Sequence, residues 1–266
     1  MLSAHRFADP LVNLSLELFL RELQAELGER LISVVLFGSI VFDDLAPGYG
    51  DLDFMAILKD EPDEAGRRRL IDIRKPLRNG DYGIICNMIE GPFLPLCMLD
   101  PAKSGQTICW GTGGERSWDR NKLGWFVHRL IQERGIVIYG ADIRPYLPMP
   151  THAQLLEEAR TGLDTLRKHG RGGNLHSADW LLMAARSLLW LEEDRLVSKS
   201  EAAEWAFVHA DGLWRKQLPT AKEIRLNPSL AESDEVKRWL ISLDQPISEA
   251  CDELTTAFQA TEKLAR

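Results

Sequence analysis

Apolar positions organise the first half of the chain into alternating helix and strand patterns. Between Pro10 and Leu31, leucines 11, 14, 18, 20, 23 and 27 recur at roughly helical spacing. This predicts an amphipathic helix whose leucine stripe packs inward. Residues 31–37, Leu-Ile-Ser-Val-Val-Leu-Phe, form a short apolar run that stops at Gly38-Ser39. A second run covers Leu52–Leu58, and the turn-rich Asp-Asp-Leu-Ala-Pro-Gly-Tyr-Gly lies between them. The pattern reads as strand, Gly-Ser turn, short helix or loop, strand. Pro62 to Arg78 predicts a helix burying Leu70, Ile71, Ile73 and Leu77, followed by a turn at Asn79-Gly80-Asp81. Residues 82–99 hold a further apolar run containing Glu90. Asp100 to Glu115, with Gly105, Gly111, Gly113 and Gly114, reads as a loop flanked by Trp110 and Trp118. Those indoles are candidates either to cover a ligand or simply to pack. A helix over Arg120–Glu133, with Leu123, Phe126, Val127, Leu130 and Ile131 inward, and a short buried strand over Gly135–Gly140 complete this half.

Three prolines between Pro145 and Pro150 end the alternation, and the boundary is placed there, giving domains 1–148 and 149–266. Beyond it only helical periodicity remains. Thr151 and Gln154 form one capping box, Ser177 caps a helix running to Leu191, and Ser198 with Glu201 forms a second capping box. Further helices are expected at Glu232–Leu243 and Ile247–Leu264, with Pro219, Pro228 and Pro246 falling between helices. The fold class is therefore α+β, a mixed-sheet domain followed by an all-helical bundle.

Composition narrows the function. The chain has 266 residues, 45% of them apolar, and a formal net charge of −8. An acidic chain is a poor match for a polyanionic template, so no nucleic-acid partner is expected. The Arg67-Arg68-Arg69 cluster reads as a solvated helix face. The four cysteines form no CxxC pair, the six histidines have no metal-ligand spacing, and no apolar run reaches membrane-spanning length. No membrane partner and a cytoplasmic location are expected; oligomeric state stays open between monomer and homodimer.

The candidate chemistry lies at Asp51-Leu52-Asp53. Side chains alternate along a strand, so the two aspartates share one face while Leu52 points to the core. Paired carboxylates call for a cation, Mg²⁺ above all. Gly38 permits close approach of a ligand to the backbone, and Ser39 with the amides after it could hold phosphate oxygens. The plain alternative is a hairpin with two solvated aspartates.

Hydrophobic strand, Gly38-Ser39, eleven intervening residues and Asp51-Leu52-Asp53 together resemble the signature of the nucleotidyltransferase superfamily. That superfamily includes DNA polymerase β and the antibiotic-modifying adenylyltransferases. The resemblance implies a third carboxylate on a later strand, a metal ligand and general base for the attacking hydroxyl. Glu90, between Met88-Ile89 and Phe93-Leu94, is the candidate, although Gly91-Pro92 beside it is unusual for a central strand; Asp81 is its rival. Leu181–Ala206 is similar to the helical domain of the streptomycin- and spectinomycin-type aminoglycoside adenylyltransferases. There the family's phosphate-contacting Arg and Lys match Arg186 and Lys199. Arg186, among Ala184, Ala185, Leu188 and Leu189, is expected to be half-buried and in need of an anion. Lys199 is expected near a helix N-terminus. The family's drug-holding Trp and acidic residues are replaced by Arg167, Gly172 and His176, with Asp179 and Glu157-Glu158 as possible compensation, which argues against streptomycin itself.

The resemblance implies Mg²⁺-dependent transfer of AMP from ATP to a hydroxyl of a small acceptor such as an aminoglycoside. The expected sites are Asp51, Asp53 and Glu90 (catalytic and metal-binding) and Gly38, Ser39, Arg186 and Lys199 (nucleotide-binding). A protein adenylyltransferase or a catalytically degenerate nucleotide-binding protein are the alternatives.

Overall fold

The computed structural model describes residues 5–78 and 82–264. The chain divides into two compact units, Met1–Thr151 and His152–Arg266. The turn expected at Asn79-Gly80-Asp81, and with it the rival carboxylate Asp81, lies outside the described residues.

The first unit opens with helix α1 (Pro10–Leu27), whose first turn is capped by the Asp9 carboxylate accepting from the Leu11 N–H at 2.8 Å. Strands β1 (Leu31–Phe37) and β2 (Leu52–Leu58) follow, then helices α2 (Glu64–Arg78) and α3 (Ile84–Asn87) and strand β3 (Ile89–Pro95). A hairpin of β4 (Ser104–Gly111) and β5 (Gly114–Arg120), helix α4 (Trp125–Arg134) and strand β6 (Ile136–Gly140) complete the unit. The six strands form one sheet in the order β5-β4-β3-β2-β1-β6. β2 and β3 run parallel and the other neighbouring pairs antiparallel. A parallel pair needs a crossover, and α2 with α3 provides it.

Alternation along β2 divides the core into two. Leu52, Phe54, Ala56 and Leu58 join a cluster with α1 and α2, whereas Met55 and Ile57 join a second one with Ile131 of α4. By that alternation Asp53 belongs to the second face.

Three sequence expectations are corrected here. The buried stripe of α1 is Val12, Leu16, Phe19, Leu20, Leu23 and Leu27, while Leu11 and Leu14 are exposed. Phe19 sets the phase, because its ring packs 4.8 Å from that of Phe54 on β2. The expected loop at Asp100–Glu115 is instead most of the β4–β5 hairpin, with Thr112-Gly113 as its turn. Trp110 covers no ligand: it is fully buried among Phe19, Phe54 and Phe93. The helix expected from Arg120 starts only at Trp125, since β5 runs to Arg120.

The Gly91-Pro92 pair does occupy a central strand. Gly91 has φ +154°, and a Cβ there would lie 1.8 Å from the Phe54 carbonyl oxygen. Glycine is thus what lets β3 lie this close to β2, and Pro92 pairs across β4 with Cys109.

The second unit is helical: α5 (His152–His169), α6 (Ser177–Glu193), α7 (Lys199–His209), α8 (Leu218–Leu226), α9 (Asp234–Ile241) and α10 (Asp244–Leu264). Ser198 caps α7, accepting from the Glu201 N–H at 3.0 Å. Ser177 lies inside α6 instead, where its hydroxyl accepts from the Asn174 N–H. Pro219 and Pro246 sit in the first turns of α8 and α10 rather than between helices. No intrahelical partner is lost there, because first-turn N–H groups have none.

Candidate active site

The short link between β1 and β2 builds one wall of the site. β1 ends at Phe37, which pairs with Asp53 on β2. The chain then enters a 3-10 turn, Gly38–Phe42, with Gly38 at φ +74°. A Cβ on Gly38 would lie 2.0 Å from Asp53 Oδ2. The Asp53 carboxylate therefore lies directly against the Gly38 backbone, a closeness that only glycine allows. Ser39 is half-buried in the same turn, and its carbonyl accepts from the Asp44 N–H at 3.1 Å.

Asp51 immediately precedes β2, and Leu52 beside it is fully buried. Asp51 and Asp53 are both half-buried. Across the parallel β2–β3 pair, Asp53 and Glu90 are direct register partners. The sheet thus brings Gly38, Asp51, Asp53 and Glu90 into one neighbourhood.

Electrostatics bear the same mark. Burial pushes the Glu90 carboxyl above its usual range, and the Asp51 charge adds to the rise. The Thr112 hydroxyl and the guanidinium groups of Arg74 and Arg78 pull it back. Cys109 on β4 is pushed up to about 11, first by burial, with Glu90 and Asp53 adding their charge. The carboxylates therefore share a partly desolvated place where negative charge is costly, as an anionic site awaiting a cation would be.

The donor set fits Mg²⁺ chemically, being all oxygen. Among the described residues, however, no three acidic, histidine or cysteine side chains converge into a closed metal cage. Mg²⁺ commonly takes one or two protein carboxylates and completes its shell with substrate phosphates and water. The pair Asp51 and Asp53 suits that arrangement, with Glu90 in register beside Asp53.

Sequence reasoning missed the groups that surround Glu90. Thr112, in the hairpin turn, donates to Glu90 Oε2 at 3.2 Å. Arg74 Nη2 stands 3.6 Å from Glu90 Oε1 and donates to the Gly111 carbonyl at 3.1 Å. Arg78, one helical turn on, donates to the Thr112 carbonyl at 3.1 Å. One signal was present: Leu70, Ile73, Arg74 and Leu77 follow the i, i+3, i+4, i+7 rule, so a cation occupies the apolar stripe.

In the helical unit the two expected phosphate contacts part ways. Arg186 is exposed rather than half-buried. Helix α6 buries Leu182, Ala185 and Leu189 and leaves Arg186 and Met183 on its outer side. Lys199 is the first residue of α7 and forms an ion pair with Asp179 at 2.6 Å, both side chains about three-quarters buried. Asp179 also has His176 Nδ1 at 3.6 Å, so this acidic residue is already engaged.

No family model matches the sequence, and no curated protein matches it. Among solved structures, the chain is similar to spectinomycin adenyltransferase AAD(9) from Enterococcus faecialis, determined with ATP and spectinomycin. The TM-score is 0.69 at 16% identity, over 91% of this chain and 98% of that one. It also aligns with a complex of a tri-AMPylated Shewanella oneidensis HEPN toxin and its MNT antitoxin, with TM-score 0.29, 11% identity, and 59% and 96% coverage. The second likeness is too slight to bear weight. The first carries the architecture: an α+β chain in which a mixed-sheet unit precedes a helical one, a fold shared with that adenyltransferase.

Proposed function

We propose that this protein is a nucleotidyltransferase that moves AMP from ATP to a hydroxyl of a small acceptor, an aminoglycoside or related aminocyclitol, and so confers resistance to it. The observation that carries the reading is the registered pair Asp53–Glu90, set against Gly38 with Asp51 beside it. The adenylyltransferase fold supports it.

Asp51 and Asp53 would hold Mg²⁺ together with the nucleotide phosphates. When bound, the metal supplies charge neutralisation and alignment of the triphosphate. The amides that follow Gly38, with Ser39, cradle phosphate oxygens. Glu90 accepts the proton of the acceptor hydroxyl. That oxygen attacks the α-phosphorus, the bond from the α-phosphorus to the bridging oxygen breaks, and pyrophosphate leaves with the electron pair. The raised proton affinity of Glu90 suits a group that must take up a proton during the step. From the resemblance of Leu181–Ala206 alone, Arg186 and Lys199 of the helical unit are proposed as contacts to nucleotide phosphates.

The test is pyrophosphate release from ATP and Mg²⁺ in the presence of a panel of aminocyclitol drugs, with the product weighed by mass spectrometry. Release should accompany addition of one AMP to at least one drug. It should stop with chelator, and Asp53→Asn or Glu90→Gln should reduce it by at least about 10²-fold, the scale of a lost general base. Binding of ATP without release from any drug would remove the acceptor assignment.

A further inference from the structure

Arg74 is fully buried, which is rare for arginine and costly unless its charge is met. Four neighbours meet it. Nη1 donates to Glu115 Oε1 at 3.2 Å, Nη2 donates to the Gly111 carbonyl, the Glu90 carboxylate stands 3.6 Å away, and the Trp110 ring lies 5.4 Å from Cζ. Gly111 and Thr112 are consecutive, and their carbonyls are taken by Arg74 and Arg78, which are four residues apart on α2. Thr112 in turn donates from its hydroxyl to Glu90. Both oxygens of Glu90 are thereby addressed, one by the helix and one by the hairpin turn that the helix pins.

We propose that Arg74 is a positioning residue: it fixes the Glu90 carboxylate and the Gly111–Thr112 turn together, so that the base meets the acceptor hydroxyl in one orientation. The inference rests on the transferase reading above and deepens it. A surface ion pair would do little of this, since two long side chains in water hold no fixed geometry. Here the guanidinium is planar, buried and backed by an indole, so its fork transmits a defined direction to its partners. Misplacing a base by about 1 Å costs on the order of 10²-fold in rate.

The experiment compares wild type, Arg74→Lys, Arg74→Ala and the surface control Arg69→Lys, a residue of the same helix that pairs with Glu26. Melting temperature and ATP–Mg²⁺ binding by calorimetry are measured first, then kcat and KM for both substrates. Arg74→Lys should keep the fold and bind ATP within about twofold of wild type, yet lose about 10- to 100-fold in kcat. Guanidinium ion should restore part of the kcat of Arg74→Ala, and Arg69→Lys should match wild type. An Arg74→Lys enzyme with unchanged kcat per folded molecule overturns the positioning role and leaves the transferase reading intact. So does a variant that loses ATP binding and kcat together, the mark of a purely structural residue. A wild type that releases no pyrophosphate to any drug or to water overturns both.

Discussion

At Gly38 an alanine would set its Cβ 2.0 Å from Asp53 Oδ2, on a backbone already at φ +74°. Something must move, and the movable partner is the Asp53 carboxylate. Gly38→Ala is therefore expected to cost about 1–3 kcal/mol of stability through backbone strain, read by urea unfolding. Its AMP-transfer rate should fall by at least about 10²-fold, because a carboxylate assigned to the metal has been turned aside. Loss of stability with full activity would separate Asp53 from the chemistry. Gly38, Ser39, Asp51 and Asp53 could be read from the sequence because a strand and a tight turn place them through local geometry alone. Glu90 needed one further step, a returning strand. Arg74 was hidden because its worth depends on a hairpin 37 residues further on. The ion pair of Lys199 with Asp179 was hidden likewise, since it joins the starts of two helices through tertiary packing.

Among the elements, α4 makes the clearest pH-dependent prediction. His128 is fully buried on it, with Nε2 3.3 Å from the Asn121 amide and the Trp125 ring nearby. Burial holds its proton affinity below the ordinary 6.5, against a smaller opposing pull from the Pro148 backbone. The unfolded histidine takes a proton as pH falls through that ordinary value, and the folded one takes it only at a lower pH. Stability contributed by His128 is therefore present above about pH 6.5 and is lost below it, by at most about 1.4 kcal/mol per pH unit. Denaturant midpoints of wild type and His128→Gln, measured from about pH 7.5 to 5, should differ in slope, the variant being the flatter. Parallel curves would mean that the buried imidazole takes up its proton as readily in the fold as in the unfolded chain. At this scale the sequence failed where packing chose between equal local options. The leucine stripe of α1 allowed two phases, and the Phe19–Phe54 contact selected one. The glycines around Thr112 looked like a loop, yet they turn a hairpin whose Trp110 fills the core.

For the whole molecule, charge is the property that no single contact supplies. The chain carries 40 acidic against 32 basic side chains. Asp51, Asp53 and Glu90 concentrate negative charge where the reaction is proposed, and the buried guanidinium of Arg74 is matched by Glu90 and Glu115. An aminoglycoside is a polycation, and a field that draws such an acceptor in would be screened by salt over about 10 Å at 0.1 M. ATP–Mg²⁺ carries net negative charge and gains nothing from the same field. If the acceptor is cationic, raising ionic strength from about 0.05 to 0.5 M should raise its KM several-fold while kcat holds, since screening weakens encounter and leaves the aligned complex alone. KM for ATP–Mg²⁺ should stay level or fall. Steady-state kinetics on one cationic and one uncharged hydroxylated acceptor decide the matter. Equal salt dependence for the two acceptors would place recognition in hydrogen bonds to hydroxyls, and the acidic balance of the chain would then have no part in choosing what is adenylylated.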